Sequence, residues 1–279
     1  MLGAARIADL ALFQPARITG DRVVVVAARD IDRAASFAAT HGIERVTADY
    51  QAVIDDPDVD LVYNPLANGL HAPWNLRAVQ AGKHVLSEKP YSGNAAEARV
   101  IRDAAAHAGV QCVEAFHYRY HPVMCRVIEL VEQGEIGDIQ LIDVRMLMPP
   151  PPAQDPRWKA SLAGGGLMDV GCYAVRGARD FASLLGGEPT VSWARAGEVP
   201  EHPGVDAWME AELAFPSGVP ALIGSSMTHG DWDFSLRVVG SRGEVYAPAF
   251  VRPHIDDRVV VTVGTDQRTE ELGRRSSYT

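Results

Sequence analysis

The stretch His84-Val85-Leu86-Ser87-Glu88-Lys89-Pro90 decides the fold. Its first four residues read as a buried strand. Comparable runs at Val23 to Ala28, Val59 to Tyr63 and Val110 to Ala115 alternate with helical stretches near Ile31 to His41, His71 to Gly82 and Asn94 to Ala108. Strands that are continuous Val/Ile/Leu runs between helices imply a parallel sheet covered on both faces. This is a Rossmann-like half, and open α/β sheets bind ligands just beyond the carboxyl ends of their strands. Glu88-Lys89-Pro90 stands at such an end.

Beyond about residue 120 the pattern changes. A helix over Pro122 to Gln133 and a strand near Ile139 to Met148 lead into a proline-rich loop, Pro149 to Pro152, and a second helix near Cys172 to Leu185. Five strands then follow without intervening helices: Thr190 to Glu198, Ala207 to Phe215, Ala221 to Thr228, Ser235 to Val239 and Val259 to Val263. Consecutive strands with short turns such as Pro216-Ser217-Gly218 favour an antiparallel sheet. The fold class is therefore α/β, a Rossmann-type parallel sheet domain over residues 1–120 followed by an α+β domain with a mostly antiparallel open sheet over residues 121–279. Both ends look cut. Only Met1-Leu2 precede Gly3, so the first strand is nearly absent, and Glu270 to Thr279 is a polar stretch with nothing amphipathic to close the second domain.

With 279 residues and 47% apolar content the chain has enough material for two cores. A net charge of −10 argues against a broad nucleic-acid surface and leaves small polar substrates open. Cys112, Cys125 and Cys172 are odd in number and form no Cys-x-x-Cys, so neither a disulfide framework nor a metal site is expected and a reducing cytoplasm is the default. No apolar run approaches the roughly 18 residues needed to span a bilayer.

The start of the chain, Gly3-Ala4-Ala5-Arg6-Ile7-Ala8, fits the dinucleotide fingerprint G-x-G-x-x-G/A with alanine in the second and third places. Its backbone N–H groups and the following helix N-terminus would receive a pyrophosphate; a functionless small-residue turn is the bland alternative. The strand Val23 to Ala28 ends in Arg29-Asp30, at about the 20-residue offset where ribose recognition occurs. Arg29 with Arg33, one helical turn later, would clamp a 2′-phosphate and favour NADP; Asp30 keeps NAD open, and the two arginines also read as a solvated helix start.

In the second half, Asp169-Val170-Gly171-Cys172-Tyr173 follows three glycines, Gly164 to Gly166, read here as backbone free to wrap a ligand. Lys89, Asp169 and Tyr173 form a catalytic set for hydride transfer. A Lys ammonium beside a Tyr phenol favours the phenolate, the base that an alcohol requires. On a helix Asp169 shares a face with Tyr173, and its carboxylate can bind a sugar hydroxyl or Lys89. The alternatives are an N-cap for Asp169 and a buried, satisfied ring for Tyr173. His71 reads as a cap or a cofactor contact, or as structural. His117 and His121 flank Arg119, with no carboxylate pattern to make a metal site. Trp158 reads as a platform for a sugar ring or as simple packing.

Together, Gly3 to Ala8, Tyr63-Asn64-Pro65-Leu66-Ala67-Asn68-Gly69-Leu70-His71, Ala81 to Pro90, Glu114 to Pro122 and Gly164 to Tyr173 resemble the Gfo/Idh/MocA family of oxidoreductases. The resemblance implies a Rossmann domain, a second α/β domain whose open sheet serves substrate binding and homo-oligomer formation, and Lys89 beside the nicotinamide and substrate. It also implies a cofactor site drawn from Gly3, Ala4, Ala5, Arg6, Ile7, Arg29, Arg33, Pro65, Asn68, His71, Glu88 and Lys89. Many members end the Asp-x-x-x-His pattern in histidine. Tyr173 stands there instead, similar to the branch containing dihydrodiol dehydrogenase, NADP-dependent D-xylose dehydrogenase and glucose-fructose oxidoreductase. That branch implies NADP and a sugar or cyclic diol substrate. Arg176 departs from the usual uncharged polar residue. The rival from another class is a non-catalytic or decayed member that binds dinucleotide or sugar without turnover.

Overall fold

A computed structural model describes residues 1–279. The chain divides into two compact units, one of residues 1–116 with 161–163 and 278–279, the other of residues 117–160 with 164–277.

In the first unit, a helical segment, Asp9–Phe13 continuing into α1 (Gln14–Thr19), precedes β1 (Val25–Ala27). Next come α2 (Ile31–His41), β2 (Arg45–Thr47), α3 (Tyr50–Ile54) and β3 (Leu61–Asn64). They are followed by α4 (His71–Gln80), β4 (His84–Ser87), α5 (Ala95–Ala108) and β5 (Cys112–Glu114). The helices begin where capping chemistry allows. Asp30, Asp49 and Asn94 each accept a backbone N–H from the first turn of α2, α3 and α5, and so satisfy donors that the helix itself leaves unpaired.

All strand pairs here are parallel, β1 with β2 and β3 with β4 and β5. Met1 and Leu2 join the two ribbons. The Leu2 N–H donates to Tyr63 O at 3.0 Å, while the Ala27 N–H donates to Met1 O at 3.0 Å. A segment too short to count as a strand thus still fills the central place between β1 and β3. Leu2 is fully buried beside Val25, Ile54, Val62, Val79 and Val85, the core between sheet and helices. The sequence reading misses β2 and α3 of this unit. The strand β2 is short and mostly exposed, and so carries no apolar run.

The second unit contains α6 (Pro122–Glu132), β6 (Ile139–Leu147) and α7 (Cys172–Arg179), the last entered through a wide helical turn at Leu167–Gly171. Seven strands follow: β7 (Thr190–Glu198), β8 (Asp206–Ala214), β9 (Pro220–Ser226), β10 (Leu236–Gly240), β11 (Gly243–Ala247), β12 (Arg258–Val263) and β13 (Asp266–Glu271). With β6 they form an eight-stranded sheet of order β13-β12-β11-β10-β6-β9-β8-β7. Every pair is antiparallel except β6 with β9. The helix α6 opens on His121, whose Nδ1 accepts the Val123 N–H, with Pro122 in its first turn. It buries Val123, Val127, Leu130 and Val131, one stripe at helical spacing.

The sequence reading leaves β13 unmarked, yet this strand pairs along all six residues with β12. It lacks apolar alternation since it is an edge strand, held by ladder hydrogen bonds and by the Arg126–Glu270 ion pair at 2.7 Å. The helix read as Cys172 to Leu185 ends at Arg179 and yields to a short 3-10 turn at Ala182–Leu184.

Candidate active site

In the first unit the candidate residues collect at the carboxyl ends of the parallel strands. The fingerprint turn leaves Leu2 through Gly3, whose φ of 84° lies in the left-handed region and whose N–H donates to Ala27 O at 2.6 Å. A Cβ on Gly3 would sit 2.9 Å from a Leu66 methyl, so the close approach of this turn to the β3 loop requires glycine. Ala4 is buried, Arg6 is exposed, and Ala5 and Ile7 are half-buried. At the end of β1, Arg29 is exposed. Arg33 donates through Nη2 to Ala4 O at 2.6 Å, tying the fingerprint turn to α2. The Asp30 carboxylate is turned to the Arg33 N–H at 3.1 Å as the cap of α2.

Behind the Glu-Lys-Pro segment lies a buried network of neutral polar groups. Asn64 donates through Nδ2 to Asn75 Oδ1 at 2.8 Å and to His71 O at 3.3 Å. Asn75 in turn donates to Ser87 Oγ at 2.9 Å and Tyr91 O at 3.2 Å, and Ser87 Oγ donates to Glu88 O at 3.0 Å. Asn64, Asn75 and Ser87 are all fully buried, so each of these groups depends on its partner for the hydrogen bond that water would otherwise supply. The network fixes the backbone on both sides of Lys89, itself half-buried. Pro65 and Asn68 lie on the loop after β3, with Asn68 Nδ2 donating to Ala163 O at 3.1 Å.

The side chains of His71 and Glu88, two of the expected cofactor-site residues, are both engaged within the protein. His71 is buried, with Nδ1 2.6 Å from Pro90 O and Nε2 2.8 Å from Leu66 O, so its ring clamps two loops. Burial lowers its pKa from the ordinary histidine value. Glu88 is buried too, and its Oε1 accepts the Tyr63 hydroxyl proton at 2.8 Å. Burial raises its pKa, against the opposing pull of Lys89 and the Tyr63 hydrogen bond.

In the second unit the reading of the glycine run is corrected. It is not slack backbone. A Cβ on Gly164 would strike the Arg157 carbonyl and one on Gly165, where φ is 129°, the Asp206 carboxylate. That carboxylate accepts the Leu167 N–H at 2.7 Å. The glycines therefore admit the chain's own backbone and a carboxylate that caps the helical turn. Asp169 is not the cap of α7, a position that Gly171 holds. Its carboxylate accepts from Arg157 Nε at 2.7 Å, and Arg157 also meets Asp155 at 3.1 Å. Trp158 packs rather than standing open, its indole N–H donating to Pro151 O at 3.3 Å and its ring stacked on His202 at 4.5 Å.

Tyr173 is buried on the first turn of α7, and its hydroxyl lies 3.1 Å from His117 Nε2. His117 Nδ1 lies 2.7 Å from Ser277 Oγ. Below these, Tyr118 donates its hydroxyl proton to Asp180 Oδ2 at 2.8 Å, and Asp180 also binds Arg119 at 3.2 Å and Arg176 at 3.1 Å. Arg176 thus has a local partner, one turn along α7. His117 is the contact of Tyr173 that sequence reasoning undervalues. The sequence weighs it only as a metal ligand, and no cluster of three or more His, Cys, Asp or Glu side chains is placed to hold a metal ion.

Two family models match the chain. Residues 1–116 match "Oxidoreductase family, NAD-binding Rossmann fold" and residues 124–246 match "GFO/IDH/MocA C-terminal domain". A dTDP-3,4-didehydro-2,6-dideoxy-alpha-D-glucose 3-reductase of Streptomyces violaceoruber is 36% identical over 278 residues, covering 97% of this chain and 79% of the relative. D-xylose 1-dehydrogenase (NADP(+)) 2 of Haloferax volcanii is also 36% identical, over 100% of this chain and 84% of the relative. Among solved structures, a 3-ketoreductase from Actinomadura kijaniata in complex with NADP and TDP-benzene superposes with a TM-score of 0.89 at 29% identity, over 99% of this chain and 84% of that one.

Proposed function

We propose that this chain, which belongs to the GFO/IDH/MocA family of oxidoreductases, is an NADP-dependent enzyme that interconverts a sugar or cyclic diol carbinol and its carbonyl. The observation that carries the reading is the Lys89 segment, fixed by a buried polar network at the carboxyl ends of parallel strands, where such sheets take their ligands. Relatives named for sugar chemistry along nearly the whole chain support the substrate class.

The fingerprint region fits a dinucleotide. Gly3 keeps the turn close to Leu66, and the helical segment beginning at Asp9 follows it, so first-turn N–H groups meet a pyrophosphate. Arg29 supplies positive charge for a 2′-phosphate, while Asp30 is committed to capping α2, and both points favour NADP over NAD. When bound, the nicotinamide supplies the hydride acceptor or donor. Tyr173 takes the hydroxyl proton during oxidation and returns it during reduction. Lys89 contributes a fixed positive charge to the nucleotide-binding unit. Asp169, with its partner Arg157, lies four residues before Tyr173 and orients a substrate hydroxyl. One site runs both directions, since the same proton and hydride cross it either way.

The second copy of the chain is the expected partner. β7 closes one edge of the large sheet with Val191 64% and Trp193 43% exposed, apolar surface suited to a homo-oligomer interface.

The test is turnover of NADP+ with aldoses and cyclic diols, and of NADPH with the matching carbonyl compounds. The wild-type chain should turn over at least one pair, and Tyr173→Phe should do so at least a hundredfold more slowly, roughly the worth of positioned proton transfer. A chain that binds NADPH and is stabilised by it, yet turns over nothing, would instead be a non-catalytic binder.

A further inference from the structure

We propose that His117 is a proton relay that connects Tyr173 to solvent through Ser277. The inference rests on Tyr173 being the residue that exchanges the substrate proton. Each turnover leaves Tyr173 with a proton it must lose, or without one it must regain, and its ring is only 6% exposed. A buried acid that cycles needs a path.

The geometry offers one, with accessibility increasing along it: Tyr173 is buried, while His117 and Ser277 are half-buried. The Tyr173 hydroxyl meets His117 Nε2 at 3.1 Å, and His117 Nδ1 meets Ser277 Oγ at 2.7 Å, so the two nitrogens of one imidazole bridge two hydroxyl groups. The rings of His117 and Tyr173 meet edge-on, at 68°, so the ring nitrogen approaches the phenol oxygen without ring stacking. Neutral imidazole has one donor and one acceptor nitrogen. With the proton on Nδ1, His117 accepts from Tyr173 and donates to Ser277. In discharge the Tyr173 O–H bond breaks as Nε2–H forms. At the same time Nδ1–H breaks as a Ser277 O–H forms, and the original Ser277 proton passes to water. The imidazole ends neutral in its other tautomer, now donating to the phenolate, and reduction runs the same transfers backwards. Water is the only other reactant.

One ion cluster lies beside this path. Asp180, with Arg119 and Arg176, is tied to the Tyr118 hydroxyl, and the Tyr118 and Tyr173 rings lie 5.9 Å apart. The cluster pairs internally, and neither hydroxyl contact of His117 involves it.

Two measurements test the relay. In the first, His117→Phe and His117→Gln are compared with wild type for kcat, KM and pH profile. The glutamine keeps a hydrogen-bonding group near the Nε2 position but cannot pass a proton through. Both variants should lose about tenfold or more in kcat with KM little changed, and added imidazole should restore part of the loss in the phenylalanine variant. Wild-type kcat and pH profile in His117→Phe, or full activity in His117→Gln, would overturn the relay. The second needs no turnover and so stands apart from the proposed activity. Nitrogen NMR of His117 should show Nδ1 protonated and Nε2 as acceptor in the resting protein, and this tautomer balance should change in both Tyr173→Phe and Ser277→Ala. Indifference of His117 to both substitutions would overturn the proposal.

Discussion

The two candidate regions solve the placement of a reactive side chain differently. Around Lys89 the supporting groups are neutral amides, a hydroxyl and backbone carbonyls, fully buried and mutually satisfied through Asn64, Asn75 and Ser87. Around Tyr173 the support consists of a half-buried imidazole, a half-buried serine and an ion cluster on Asp180. The first arrangement holds a backbone and exchanges nothing. The second can pass a proton outward. The contrast teaches that a group acting through fixed charge is best backed by a dry, satisfied network, whereas a group that cycles its proton needs partners that titrate and reach water.

Substitutions can break this contrast at graded cost. The largest effect is expected from Tyr173→Phe, which should lower kcat by roughly 10²- to 10⁴-fold, the worth of positioned proton transfer, while leaving NADPH binding intact. If binding falls in parallel, Tyr173 serves packing instead. Next comes Arg29→Ala, expected to weaken NADPH by about tenfold and NADH hardly at all, as loss of one charge-assisted contact predicts; equal loss for both cofactors would remove Arg29 from 2′-phosphate recognition.

The dry network should reveal itself in stability. Asn75→Ala takes a partner from both Asn64 Nδ2 and Ser87 Oγ, costing about 1–3 kcal/mol for buried groups left under-satisfied, read as a lower midpoint in chemical or thermal unfolding. An unchanged midpoint would mean that the network is not what holds this backbone. His71 adds a pH signature to the same region. Its folded pKa is lowered by burial, so its contribution is fully present above the unfolded value of about 6.5 and is lost as pH falls from there to the folded pKa. The wild-type melting temperature should therefore fall from neutral pH toward acid more steeply than that of His71→Asn, and identical slopes would argue against a neutral buried imidazole. The smallest effect on catalysis is expected from Trp193→Arg on exposed β7: a shift toward monomer in sedimentation, with activity per chain nearly kept.

Legibility in the sequence follows the same divide. The strands β1, β3, β4 and β5 and the helices α2, α4 and α5 of the first unit are readable because Val85-Leu86 and Val62-Tyr63 are continuous apolar runs and Asp30 and Asn94 are ordinary caps. β11, a five-residue strand between Gly243 and Ala247, and β13 are not, since a polar edge such as Asp266 to Glu271 is held by its neighbour's backbone and by ion pairs rather than by its own pattern. Lys89 and Tyr173 stand out from local motif. Three features are misjudged because the partners are distant in sequence. Ser277 lies far from His117, Arg157 claims the Asp169 carboxylate, and the Asp206 carboxylate explains the glycine at Gly165. Nothing in a local window encodes such meetings.

The most direct test of the central claim is titration of the purified chain with NADPH and with NADH, followed by nicotinamide fluorescence. The account predicts saturable NADPH binding about tenfold or more tighter than NADH. Equal affinity for the two would contradict the NADP assignment, and failure to bind either would contradict the oxidoreductase function proposed for this chain.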